Sequence, residues 1–85
     1  MASTDTPDQQ QQLAQAVDFA VRQYGMPASS LTRCTRNPHN HLRIYDNQGR
    51  ILEFTGWRPS GFNWVMRFAS DVVDGDFVDI SPPQP

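Results

Sequence analysis

Apolar residues along this chain follow one helical rhythm, then an alternating one, and then a stretch that fits both. Leu13, Ala16, Val17, Ala20, Val21 and Tyr24 recur at helical spacing and lay one apolar stripe along a helix. Its start is legible: Thr6, Pro7 and Gln9 make a capping box with proline at the first helical position, so that a hydroxyl and an amide satisfy otherwise orphaned backbone donors. Gly25 supplies a left-handed cap and Pro27 forbids continuation. The polar run from Gln9 to Gln12 reads as solvated helix.

From Leu31 the pattern alternates. Residues 31–36 are rich in Thr and suit a strand. Asn37, Pro38, His39 and Asn40 form a turn, since proline fixes its own backbone and restrains the residue before it. Residues 41–46 and 50–55 are the next two strands, joined through Asn47, Gln48 and Gly49, a hairpin connection in which the glycine takes positive φ. Strand parity sends Leu42 and Ile44 to one face and His41, Arg43 and Tyr45 to the other.

Residues 62–73 fit both periods. Phe62, Val65, Met66, Ala69, Val72 and Val73 make a helical stripe with Ser60 as N-cap, whereas Phe62, Trp64, Met66 and Phe68 alternate after an acceptable β-turn at residues 58–61. The helix is preferred because the apolar pattern continues for about twice the length of an average strand. The expected fold is therefore α+β: an N-terminal helix, a three-stranded antiparallel sheet and a C-terminal amphipathic helix (α-β-β-β-α), with an extra edge strand at 76–80. The alternative is one helix on a four- to five-stranded antiparallel sheet.

Length allows a single domain, 1–85, with an ordered core at about 7–80 and flexible tails at 1–5 and 81–85. No window approaches the ~20 apolar residues of a membrane span, and the N-terminus lacks the basic and apolar regions of a signal peptide, so a cytoplasmic protein without membrane contact is expected. Cys34 is the single cysteine and reads as a buried thiol rather than a nucleophile.

The net charge of −2 hides a segregation. Residues 1–27 carry −2, residues 28–70 carry +4, and residues 71–85 carry −4. A basic middle between acidic flanks suits RNA or an anionic protein or ribonucleoprotein surface. Every base is arginine, which offers a planar fork for phosphate or carboxylate. The aspartates at 71, 74, 76 and 79 read as a solvated end, or alternatively as a built-in nucleic-acid mimic or a cover for the basic sheet.

His41, Leu42, Arg43, Ile44 and Tyr45, the Asn47-Gln48-Gly49-Arg50 turn, the apolar strand after it and the Pro59-Ser60 start of a closing helix resemble the HicA-like toxins, whose fold is similar to the double-stranded RNA-binding domain. The resemblance covers about residues 13–73. It implies a messenger-RNA-cleaving toxin with an antitoxin partner, and places the functional histidine of the second strand at His41. Pro38, His39 and Asn40 stand where that family usually has a Gly-Ser pair and often a lysine, and glycine there would let an RNA backbone approach closely.

In a ribonuclease reading, His41 takes the proton of a ribose 2′-hydroxyl and an arginine such as Arg36 or Arg43 stabilises the phosphorane, without metal or cofactor. No metal site is expected, because the two histidines have no third ligand at a recognisable spacing. Arg33, Arg36, His39, Arg43, Arg50, Arg58 and Arg67, interleaved with Tyr45, Trp57, Trp64 and Phe68, compose the expected binding surface for RNA or a partner protein. On a helix, Trp64 and Phe68 stand one turn apart as a second apolar face, which reads either as a homodimer or partner contact or as a wrap over the core edge of so small a domain. The competing function is a non-enzymatic phage or mobile-element protein, of the anti-CRISPR kind, that inhibits a host protein or ribonucleoprotein through this surface.

Overall fold

The computed structural model describes residues 6–80, and the expected tails at 1–5 and 81–85 lie outside the described residues. Helix α1, Pro7–Asp18, begins where the capping box puts it: the Gln9 N–H donates to Thr6 Oγ1 at 3.1 Å and the Thr6 N–H donates to Gln9 Oε1 at 3.0 Å. It runs on as a π-helical segment, Phe19–Tyr24, that ends at Gly25 with φ 93°. Bonding five residues apart brings Phe19 and Tyr24, which an α-helix would splay, to the same side. Both rings meet Trp64, at centroid distances of 5.1 and 5.6 Å.

Five strands follow: β1 Leu31–Arg36, β2 Leu42–Asp46, β3 Arg50–Arg58, β4 Gly61–Phe68 and β5 Val78–Asp79. They form one antiparallel sheet in the order β4-β3-β2-β1-β5. The helix expected over 62–73 is not present. That stretch is β4 followed by a 3₁₀ turn at Ala69–Asp71, because a strand there pairs with β3 from Arg50↔Phe68 to Arg58↔Gly61 and sets Met66 and Trp64 beside Leu52 and Phe54. A helix would have left the backbone of β3 bare. The fold is thus the alternative one, a single helix on a five-stranded antiparallel sheet, and the edge strand expected at 76–80 is the two-residue β5.

The helix covers one face. Leu42, Ile44, Leu52 and Phe54 point to it and meet Leu13, Ala16, Ala20 and Met26, all 2% exposed or less. Each large side chain buried this way contributes about 1.5–3 kcal/mol. Cys34 shares this core, and burial pushes its thiol up to about 11, so it is protonated and inert at neutral pH. Among the described residues no helix is long and apolar enough to cross a membrane.

The β2–β3 hairpin is pinned by Asp46. Its Oδ1 accepts the N–H groups of Gln48 and Arg50 at 3.0 and 2.8 Å, and its Oδ2 accepts Arg50 Nε at 2.7 Å, while Gly49 turns the chain at φ 78°. Burial by itself would raise the carboxyl pKa, but these donors outweigh it and hold the group below its ordinary 3.8. A pKa lowered by folding gives stability that is complete above 3.8 and lost as pH falls through the lowered value. Urea titrations are therefore expected to show a loss of stability below about pH 4. Asp46→Asn should cost about 1–3 kcal/mol at neutral pH and flatten that acid dependence; an unchanged acid limb would remove Asp46 as its source.

Candidate binding surfaces

Among the described residues, no helix lies on the second face of the sheet. Its side chains are those of the opposite parity: Arg33 and Thr35 on β1, Arg43 and Tyr45 on β2, Ile51 and Glu53 on β3, Val65 and Arg67 on β4. An uncovered face would be exposed, yet Thr35 and Ile51 are fully buried and Arg43, Tyr45 and Glu53 are each 9% exposed or less. The cover is the segment from Val72 to β5. Arg43 donates from Nη1 to the Val73 carbonyl at 2.9 Å and its guanidinium lies 3.8 Å from the centre of the Phe77 ring. Arg33 forms ion pairs with Asp74, at 3.1 Å, and with Asp79. The Arg33 guanidinium also sits 4.9 Å over the Tyr45 ring.

These contacts reassign the outward row read from strand parity. Parity placed Arg43 and Tyr45 together correctly, but they are buried rather than presented, because the acidic end of the chain folds back over them. Arg43 Nε donates to Glu53 Oε1 at 2.9 Å, and Arg67 Nε reaches the same oxygen at 3.3 Å. Burial disfavours the Arg43 charge, and the hydrogen bonds and charges of Glu53 and then Tyr45 together more than offset it, so its pKa is raised. The Arg33 hydrogen bond holds the Asp74 carboxyl below its ordinary value.

The remaining arginines are similarly engaged. Arg50 pairs with Asp46, and Arg22 with Asp18 at 3.0 Å. Arg36, 6% exposed, donates to the Gln9 carbonyl of α1 at 3.1 Å. Arg58, exposed at the β3–β4 turn, is the arginine without an ion pair or hydrogen bond among the described residues. Trp57 belongs to the aromatic end of the core, 6.1 Å from Phe54 and 5.0 Å from Phe62 by ring centroids.

His39 and His41 lie in the β1–β2 turn, with ring centroids 6.0 Å apart, His39 exposed and His41 partly buried. Asn37 organises the turn: its Oδ1 accepts the N–H groups of both histidines, at 3.0 and 2.9 Å. Asn40 holds φ 63° and its Nδ2 donates to Gln12 Oε1 at 2.7 Å. The position thus has the left-handed backbone that favours glycine, while its side chain ties the turn to α1. Among the described residues, no group of three His, Cys, Asp or Glu side chains could hold a metal ion.

A third surface is β4, which pattern reading treated as a helix and therefore did not recognise as an edge. Trp64, Val65 and Phe68 are 45%, 42% and 49% exposed. The signal was the alternation Phe62, Trp64, Met66, Phe68, read but not preferred. Val65 and Met66 carry no functional signal in the sequence, nor does Glu53, whereas Asp74 belongs to the acidic run for which a cover over the basic sheet is the alternative reading, and it does pair with Arg33 on that face. Eight of the expected site residues thus gather in three places: Arg33, Arg43, Tyr45 and Arg67 on the covered face, His39 and His41 at one turn, Trp64 and Phe68 along β4; Arg36, Arg50, Trp57 and Arg58 stand apart, at α1, the β2–β3 hairpin, the aromatic core and the β3–β4 turn. No family model, no curated protein and no solved structure matches the chain.

Removing the carboxylate from the Arg43 and Arg67 pair leaves a buried cation, so Glu53→Ala is expected to destabilise the fold by about 3–5 kcal/mol in urea titrations. The apolar double variant Arg43→Met with Glu53→Leu should recover most of that loss. Equal losses in the single and double variants would mean that packing, not the unpaired charge, sets the cost.

Proposed function

We propose that the chain is a non-enzymatic protein-binding module that takes a partner strand at β4. The observation that carries the reading is the contrast between two surfaces. β4 is an eight-residue edge strand with three large apolar side chains more than two-fifths exposed, whereas six of the seven arginines contact groups of the chain itself. A bare strand edge gives affinity through backbone hydrogen bonds, and alternate side chains give specificity. Exposed Trp and Phe are the side chains that anchor protein interfaces.

The RNA reading, with His41 as general base, is favoured by one observation: the two imidazoles stand together at an exposed turn. It lacks an arginine beside them to stabilise a phosphorane, since Arg36 and Arg43 are committed to Gln9, Glu53 and Val73.

Two measurements separate the readings. Tagged chain recovered from its native host should carry a stoichiometric protein, a second copy of the chain included, and Trp64→Ala or Phe68→Ala should weaken that association about tenfold or more. Fluorescence anisotropy with labelled single-stranded and hairpin RNA should show no binding at low salt. RNA affinity that falls steeply with salt, is abolished in His41→Ala and survives Phe68→Ala would overturn the protein-binding reading in favour of the RNA one.

A further inference from the structure

The outer edge of β4 has a defined chemistry. The Ala69 N–H donates to the Gly49 carbonyl at 2.8 Å, which makes the Arg50↔Phe68 pair one whose own backbone groups turn away from each other. By the alternation of an antiparallel ladder, the N–H and C=O groups of Trp64, Met66 and Phe68 then face outward, with no strand beyond them among the described residues. Their side chains lie on the helix side, and those of Asn63, Val65 and Arg67 on the other.

We infer that the strand taken by this edge is β4 of a second copy of the same chain, antiparallel, with a two-fold axis at Val65; the inference rests on the protein-binding reading and names its partner. Of the registers that pair outward-facing residues, this one matches chemistry throughout. Phe62 lies opposite Phe68 of the second copy, Trp64 opposite Met66, Val65 opposite Val65, and Asn63 opposite Arg67. Aromatic pairs and sulfur on an aromatic edge are favourable cross-strand partners. Shifting the axis to Met66 sets Val65 against Arg67, and shifting it to Arg67 sets two guanidinium groups face to face, which like-charge repulsion disfavours.

Charge adds an independent argument. The Val65 register sets Phe68, the last residue of β4, against Phe62 of the second copy, so the Ala69–Asp71 turn of one copy follows on toward the β3–β4 turn of the other, the end at which Arg58 lies. Arg58 and Asp71 are ionic groups with no ion pair in their own chain among the described residues. The two-fold axis gives this approach twice, once at each end of the ladder. Within β4 the lone charge, Arg67, is already met by Glu53, so the strands approach without net repulsion.

The test is cysteine crosslinking of the full chain with sedimentation in parallel. Val65 is exposed and Cys34 is buried, so Val65→Cys should keep the fold and, under mild oxidation, form a disulfide-linked dimer with itself. Arg67→Cys should not crosslink with itself but should do so when mixed with Asn63→Cys. The parent chain should sediment as a dimer. Arg58→Asp should raise the dimer dissociation constant about tenfold, the factor made by roughly 1.4 kcal/mol, and adding Asp71→Arg should restore it. Met66→Pro, which removes an outward N–H and leaves the β3 pairing intact, should give a folded monomer by circular dichroism and sedimentation. A parent chain that stays monomeric at its highest soluble concentration, or self-crosslinking at Arg67→Cys in place of Val65→Cys, overturns the inference. If the chain is monomeric but Trp64→Ala still loses a heterologous protein, the inference falls and the binding reading stands; if neither association exists, both fall.

Discussion

The bond between Arg43 and Glu53 is the constraint from which the architecture of the second face follows. Both side chains rise from the middle of the sheet on the side that α1 does not cover, at 2.9 Å from one another. A buried ion pair repays its desolvation only when its remaining donors and acceptors are satisfied. Glu53 meets this requirement by accepting from Arg67 as well, and Arg43 by donating to the Val73 carbonyl and resting on the Phe77 ring. The segment from Val72 to β5 is therefore a structural layer. It does for the second face what α1 does for the first, using a guanidinium and a carbonyl where the helix uses aliphatic side chains. The acidic end of the chain finds its function here too, since Asp74 and Asp79 neutralise Arg33. Segregated charge in the sequence is thus largely spent within the molecule.

Features set by nearest neighbours were legible before the fold was known. The capping box, the β1 bounds and the Gly49 turn each depend on a handful of adjacent residues, and each lies where the pattern puts it. Phe19 was missed because an α-helical period turns it off the apolar stripe, and only the π-helical segment brings it against Phe54, Phe62 and Trp64. Residues 62–73 were ambiguous for a different reason. Their spacing satisfies both periods, and the choice is made by a long-range fact, the backbone of β3 awaiting a partner. Parity likewise told which residues share a face but not what covers it, because the covering segment lies about 30 residues further along.

The histidine turn illustrates how one residue can serve geometry and chemistry in different ways. Asn40 adopts the left-handed backbone that glycine takes most easily. Its side chain, however, is engaged with Gln12 and anchors the turn to α1. Glycine would leave that space open to a phosphate backbone; asparagine closes it with a hydrogen bond to the helix. His39 and His41 are consequently held near one another by the side-chain oxygen of Asn37, while Arg36 is bonded to the helix and Arg43 to Glu53. Proximity of two imidazoles is a necessary part of a general acid–base site, but without a cation positioned for developing charge it supplies only part of the catalysis.

The two edges of the sheet are treated unequally, and the inequality is informative. On the β1 side, β5 adds only two residues, bears Asp79 in an ion pair with Arg33, and ends the segment that crosses the second face from Val72. Very short edge strands and charged side chains are the devices by which folds prevent unwanted pairing. On the other side β4 runs for eight residues with no proline or lysine, and its one charge, Arg67, is directed to Glu53 rather than outward. The irregularity that twists the hairpin lies between Thr55 and Arg58 on β3, away from the outer edge. An edge so long, apolar and unguarded is a standing aggregation hazard unless something pairs with it. That the same sheet guards one edge and leaves the other open argues that β4 is kept for a partner strand, and its near-palindromic order of apolar and polar side chains about Val65 makes a second β4 the strand it fits best.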